Sequence, residues 1–192
     1  MQNILLAAGM ATRSDGEKLF YPWKTESVVA HAVRSSLEAG LFTIVVTGHR
    51  ADEVNELIHP FTGNNLLVVH NPDYASGQGS STQVGSLALK EGRPFFISLA
   101  DMPLIEAHHY RTLTERFTGG VLRPRYQGKA GHPVLLDPSY IPLIRAQLIP
   151  FTMRALLSGY PIDYLDTEEE AFIRDVDSAS SYQDLIESLP RP

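Results

Sequence analysis

The stretch Asn3-Ile4-Leu5-Leu6-Ala7-Ala8-Gly9-Met10-Ala11-Thr12-Arg13-Ser14-Asp15-Gly16-Glu17-Lys18 decides the reading of this chain. Its first half is a short apolar run, too short to span a membrane and preceded by no basic region. Its second half is small, polar and glycine-containing, with one Arg and one Lys. An apolar run that stops at such a loop reads as a strand buried on both faces, with its carboxyl end opening towards solvent. Backbone N–H groups in the loop can cradle phosphate oxygens, and the two cations can neutralise them. It is not a Walker A loop, because no Gly-Lys-Ser/Thr closes it. A solvated surface loop has the same composition, so the loop alone leaves both readings open.

Working outward, similar apolar runs recur at 43–47, 66–70 and 95–99, beside the first at 3–8. Helix-period segments fill the gaps at 27–39, 51–59, 80–90 and 106–117. Strand alternating with helix predicts a doubly wound, mostly parallel α/β sheet of Rossmann-like type. After Gly119 the rhythm changes. Runs at 121–124 and 133–136 flank the polar turn Tyr126-Gln127-Gly128-Lys129 and predict a small antiparallel insertion at the sheet edge. Short helices are expected at 138–145 and 151–158, a last strand at 171–176 and a terminal helix at 182–189. No linker divides the chain, so residues 1–192 are expected to form one domain.

Composition narrows the function classes. With 192 residues, 43% hydrophobic and 20% charged, the chain is of ordinary globular type. There is no cysteine, which removes disulfides, thiolate metal sites and cysteine nucleophiles. Lys+Arg 16 against Asp+Glu 22 leaves a net charge of -6, which disfavours nucleic acid as a partner. The expectation is a cytoplasmic protein with neither nucleic-acid nor membrane partners.

Ligands of open α/β sheets bind beyond the carboxyl ends of the strands. Asp101 follows the fourth run directly, where a carboxylate suits a hard divalent cation. Alternation along an expected last strand puts Asp175 and Asp177 on one face. Carboxylates from two strands converging on one metal would suit phosphoryl or nucleotidyl transfer, but spacing alone does not make them converge. The loop from Asn71 to Ser81 opens a helix, and Ser80 and Ser81 read equally as helix caps or ligand contacts. Gly77-Gln78-Gly79 lacks the third glycine of a dinucleotide fingerprint, because position 82 is Thr. His132, in Gly131-His132-Pro133, is a lone histidine. The His108-His109 pair has no metalloprotease spacing, and no nucleophile-elbow serine is present.

Taken in order, these segments resemble the MobA-like nucleotidyltransferases. Leu6-Ala7-Ala8-Gly9, Arg13 and Lys18 match L-A-A-G-x-x-x-R-x-G-x-x-K. Asn71-Pro72, Tyr74, Gly77, Ser81 and Gly85 match N-P-x-[WY]-x-x-G-x-x-x-S-x-x-x-G. Asp101-Met102-Pro103, Gly128 with Gly131-His132-Pro133-Val134, and Asp175-Val176-Asp177 match three further motifs in family order. Ser14, Asp15, Gln78 and Ala179 depart from the pattern. Asp15 adds negative charge to a triphosphate loop, which a cation must offset. The L-A-A-G form and the G-H-P segment resemble most the branch that makes cytidylyl derivatives of the molybdenum cofactor.

The resemblance implies a Mg²⁺-dependent transfer of CMP from CTP to a phosphorylated acceptor, with Mn²⁺ as a substitute ion. A pterin phosphate (molybdopterin) is the acceptor it favours, and a molybdenum-enzyme apoprotein is an expected partner. It puts Arg13, Lys18 and Asp101 in catalysis and Leu6, Ala7, Ala8, Gly9, Arg13, Lys18 and Ser81 on the nucleotide. It puts Asp101 and Asp177, with Asp175 as alternate, on the metal and His132 in the acceptor pocket. GTP in place of CTP, a sugar or polyol phosphate acceptor, a non-catalytic cofactor carrier and a nicotinamide-dependent oxidoreductase are the alternatives.

Overall fold

The computed structural model describes residues 1–10, 16–63 and 65–188. Arg13, Ser14 and Asp15 therefore lie outside the described residues. The strands are β1 (Gln2–Ala7), β2 (Pro22–Trp23), β3 (Glu26–Ser27), β4 (Phe42–Thr47), β5 (Leu66–His70), β6 (Phe95–Leu99), β7 (Val121–Tyr126), β8 (Lys129–Ala130), β9 (Val134–Leu136) and β10 (Asp163–Thr167). The helices are α1 (Val28–Glu38), α2 (Ala51–Ile58), α3 (Gln78–Leu87), α4 (Ala107–Arg116), α5 (Tyr140–Arg145), α6 (Met153–Leu157) and α7 (Ala179–Ser188).

The main sheet runs β10-β7-β9-β6-β1-β4-β5, with β8 paired to β7, and β2 and β3 form a separate ribbon. The pairings β6-β1, β1-β4 and β4-β5 are parallel, as the apolar runs predict. All six residues of β1 are buried. Alternation then divides them. Ile4, Leu6 and Ala8 join Ile44, Val46 and residues of α5 in one core. Leu5 and Ala7 join Val29, Val33, Val45, Val54 and Ile58, from α1, α2 and β4, in another. A sheet apolar on both faces must be covered on both, which is the doubly wound arrangement. At Gly85 an added Cβ would stand 2.5 Å from Ile4 Cγ2 and 2.9 Å from Val46 Cγ2, so only glycine lets α3 lie this close to β1 and β4.

Polar groups inside the sheet are satisfied by one another. Asn3 Nδ2 donates to Ser36 Oγ (2.8 Å), Ser98 Oγ donates to Asn3 Oδ1 (2.7 Å), and Tyr110 OH donates to Ser98 Oγ (3.2 Å). The network ties β1 and β6 to α1 and α4. Burial pushes the Tyr110 hydroxyl up to about 12, so it stays a neutral donor.

Three sequence expectations are corrected. The antiparallel insertion does not form the sheet edge. β9 is antiparallel to both β6 and β7, and β10 adds parallel to β7 outside them. The expected strand at 171–176 is instead a 3-10 turn (Glu170–Ile173) followed by extended chain. The true last strand, β10, pairs on one side only and is mostly polar, so an apolar-run criterion passes over it. α3 starts at Gln78, two residues before the expected 80, because Gly77 turns the chain at φ 101°. Among the described residues no helix is long and apolar enough to cross a membrane.

Candidate nucleotide and acceptor site

Parallel order puts the carboxyl ends of β1, β4, β5 and β6 on one edge of the sheet. A cavity of about 270 Å³ opens there. Leu6, Ala7, Ala8 and Gly9 wall it from β1 and its loop, Ser81 from α3, and Lys18 and Asp101 close one side. Apart from Asp101, expected in catalysis and on the metal, these are the residues expected on the nucleotide, without Arg13. Tyr74 and Gln78, which had no expected role, line it as well.

Asp101 leaves the end of β6. Its backbone carbonyl accepts the Val176 N–H (2.8 Å), and Val176 is fully buried. That bond, with the burial of Val176 against Trp23 and Val28, holds Asp175 and Asp177 at the end of β6. The carboxyl oxygens of Asp101, Asp175 and Asp177 lie within 4.8 Å of one another. Convergence thus comes from a loop docked on the strand end, and not from alternation along a strand. Lys18 Nζ is ion-paired with Asp101 Oδ2 and lies 3.7 Å from Asp177 Oδ1. Desolvation, then the charges of Asp101 and Asp177, push the Asp175 carboxyl above its usual range. Asp101 Oδ1 is buried and accepts no hydrogen bond among the described residues. A buried carboxylate oxygen without a donor, beside two further carboxylates, fits a hard divalent cation.

The helix-cap expectation for Ser80 and Ser81 does not hold. Both lie inside α3, and Gly77 is the cap residue. The buried Asn71, just past β5, donates through Nδ2 to Ser80 Oγ and Ser81 Oγ (2.9 Å each). Ser80 Oγ in turn donates to the carbonyls of Gly77 (2.8 Å) and Asp73 (2.9 Å). Asn71 therefore sets the position of Ser81 in the cavity wall. Its place directly after a strand was the available signal.

A second cavity of about 210 Å³ adjoins the first across Gln78. His132 lines it, with Ile97 and Val134 on the sheet side and Thr152, Met153 and Leu157 opposite. Arg123 and Arg154 line it too. His132 is held by its backbone, whose N–H donates to Phe172 O (2.9 Å). An added Cβ at Gly131 would collide with the same Phe172 carbonyl, so the loop passes the 3-10 turn only as glycine. Burial and the Arg123 charge push the His132 imidazole down to about 4, so it is neutral at pH 7. The pair His108-His109 stands elsewhere, beside Glu169. His109 Nδ1 accepts the Glu106 N–H (2.9 Å), so the neutral ring carries its proton on Nε2, 2.8 Å from Glu169 Oε2. That ring caps α4 through Nδ1, and its buried Nε2 makes no hydrogen bond of good geometry among the described residues.

The MobA-like NTP transferase domain matches residues 3–165. The chain belongs to this family. The family is one of nucleotidyltransferases, which makes the chain a member of an enzyme family. Molybdenum cofactor cytidylyltransferase of Escherichia coli (strain K12) is 27% identical over 180 residues, 93% of this chain and 92% of that relative. Nicotine blue oxidoreductase of Paenarthrobacter nicotinovorans is 25% identical over 199 residues, 95% of each chain. Among solved structures, Rv0371C of Mycobacterium tuberculosis in complex with manganese superposes with TM-score 0.78 at 20% identity, over 98% of both chains. That likeness shows the shared fold.

Proposed function

We propose that this protein transfers CMP from CTP to a phosphorylated acceptor, a pterin phosphate of the molybdopterin type, with release of pyrophosphate. One observation carries the reading. Lys18, Asp101, Asp175 and Asp177 gather at the side of a cavity walled by Leu6-Ala7-Ala8-Gly9 and Ser81, with a second cavity adjoining it. The relative named as a molybdenum cofactor cytidylyltransferase supports the choice of base and acceptor.

Asp101 and Asp177, with Asp175, would hold Mg²⁺ or Mn²⁺, and the bound ion would neutralise charge on the phosphates. Lys18 supplies a cation that can leave its carboxylate partner for the α-phosphate. Arg13 is assigned to the leaving pyrophosphate on sequence grounds. Ala7, Ala8, Gly9 and Ser81 position the nucleotide. The acceptor lies in the cavity that His132 lines. A phosphate acceptor is already ionised near neutrality, so no general base is required. Positioning and charge neutralisation supply most of the catalysis. The product would be handed to a molybdenum-enzyme apoprotein in the cytoplasm.

The test is pyrophosphate release from CTP with molybdopterin and Mg²⁺, run beside GTP and ATP and beside a chelated control. Release with CTP that needs both acceptor and metal supports the reading. GTP preference, or release only with a sugar phosphate, overturns the base or the acceptor. The relative named as an oxidoreductase favours a second reading, a nicotinamide-dependent oxidoreductase. Consumption of a reduced nicotinamide cofactor, with no pyrophosphate from any nucleotide, would establish it instead.

A further inference from the structure

The second cavity holds more positive charge than its chain predicts. The protein as a whole carries a net charge of -6, yet two guanidinium groups, Arg123 and Arg154, face this cavity. Neither has a carboxylate within salt-bridge distance among the described residues. Other arginines of the chain do, as in Arg125–Asp166 (2.6 Å) and Arg34–Glu26 (2.8 Å). Arg123 is half-buried on β7, a costly place for an uncompensated cation. Its Nε and Nη2 donate to the Gly131 carbonyl (3.3 and 3.2 Å), which fixes the fork and leaves Nη1 without a protein partner among the described residues. Burial lowers the Arg123 pKa and the Arg154 charge acts in the same direction, so the two cations repel across the cavity. The remaining wall is uncharged: neutral His132, Gln78 and Thr152 beside apolar Ile97 and Val134.

We propose that Arg123 and Arg154 form a clamp for an anionic group of the acceptor, making them specificity-determining residues. The inference rests on the proposed transfer reaction for the word acceptor, and on the cavity itself for the anion. A cavity with apolar lining residues and two cations without carboxylate partners among the described residues selects a flat or apolar body that carries a phosphate or carboxylate. The unused Nη1 hydrogens of Arg123 and the guanidinium of Arg154 supply charge-assisted hydrogen bonds to such a group. Neutral acceptors of similar size leave both cations unpaired and are rejected.

The experiment titrates inorganic phosphate into the whole protein and follows the His132 ring signals by NMR, with the nucleotide site read separately by CTP binding. Phosphate should shift the His132 resonances in wild type and in Lys18→Ala. Arg154→Gln should weaken that response about tenfold, the range for losing a charged hydrogen bond. Arg123→Lys should retain part of it, and Arg123→Gln should abolish it. Arg123→Gln also removes the bonds to Gly131, so it risks the loop itself. Arg154 is exposed and has no hydrogen bond among the described residues, so Arg154→Gln decides the matter without risk to the fold. A response that Arg154→Gln leaves unchanged, or that Lys18→Ala abolishes, overturns the clamp. Failure of CTP to bind, with the Arg154-dependent response intact, removes the transfer reading and leaves the anion site.

Discussion

Lys18 and Asp101 are ion-paired at the side of the cavity, and the Lys18 ammonium lies 3.7 Å from Asp177 Oδ1. The Lys18 ammonium therefore stands among carboxylates brought from two separate parts of the chain. Asp101 also has a buried oxygen with no donor among the described residues. Asp101→Asn should reduce turnover at least about a hundredfold, the scale for losing one electrostatic group in a transition state. Thermal stability should change little, because the amide can still accept from Lys18. Wild-type rates in that variant would remove Asp101 from the metal.

Lys18→Ala separates binding from catalysis. If the ammonium leaves Asp101 for the α-phosphate only as charge develops, kcat falls and KM for CTP moves little. Steady-state kinetics decide this. A raised KM with unchanged kcat would mean that Lys18 binds substrate and transition state alike.

Asn71 is buried and donates to Ser80 and Ser81. Asn71→Ala removes the hydrogen bond to Ser81 Oγ and one of the bonds to Ser80 Oγ, and should destabilise the fold by about 1–3 kcal/mol. It should also weaken CTP binding, because Ser81 loses its anchor in the cavity wall. Calorimetric Kd and urea melts are the two readouts. Lost stability with an unchanged Kd would make the network structural only.

Gly131→Ala forces a Cβ against the Phe172 carbonyl, with backbone on both sides. A clash of that kind should cost about 1–3 kcal/mol. Gly159→Ala is the control, since an added Cβ there meets nothing within 4 Å. A Gly131→Ala protein as stable as the Gly159→Ala control would mean that the 3-10 turn yields easily.

His132 gives the stability an acid limb. Its imidazole is held at about 4 in the folded protein, against 6.5 for the unperturbed group. Between these values the unfolded chain binds a proton that the folded chain refuses. The contribution is therefore fully present above about pH 6.5 and is lost as the pH falls towards 4, by up to about 3 kcal/mol. His31 and His109 are shifted down as well, each mainly by burial, and act with the same sign. The reading is thus the difference between wild type and His132→Gln: the wild-type Tm should fall more steeply from pH 6.5 to 4. Parallel curves would mean that the ring is solvated.

Part of the wall of the first cavity was legible in the sequence because it sits at strand ends. Leu6-Ala7-Ala8-Gly9 and Asp101 follow apolar runs, and a parallel sheet carries all such ends to one edge. Local order alone therefore determined the parallel half of the sheet and the strand-end positions of Leu6-Ala7-Ala8-Gly9 and Asp101. Tertiary structure decided what depends on distant pairing. Asp175 and Asp177 are held at Asp101 by the backbone bond from Val176 and its burial against Trp23 and Val28, which no periodicity encodes. β9 enters between β6 and β7, and β10 closes the edge, because partner choice there rests on contacts across the fold. Arg123 was the least visible. It follows the apolar pair Val121-Leu122 on β7, but only the folded chain sets it beside His132 and Arg154, without an acidic partner among the described residues. A charge acquires its chemistry from what surrounds it, and those surroundings exist only once the chain has closed on itself.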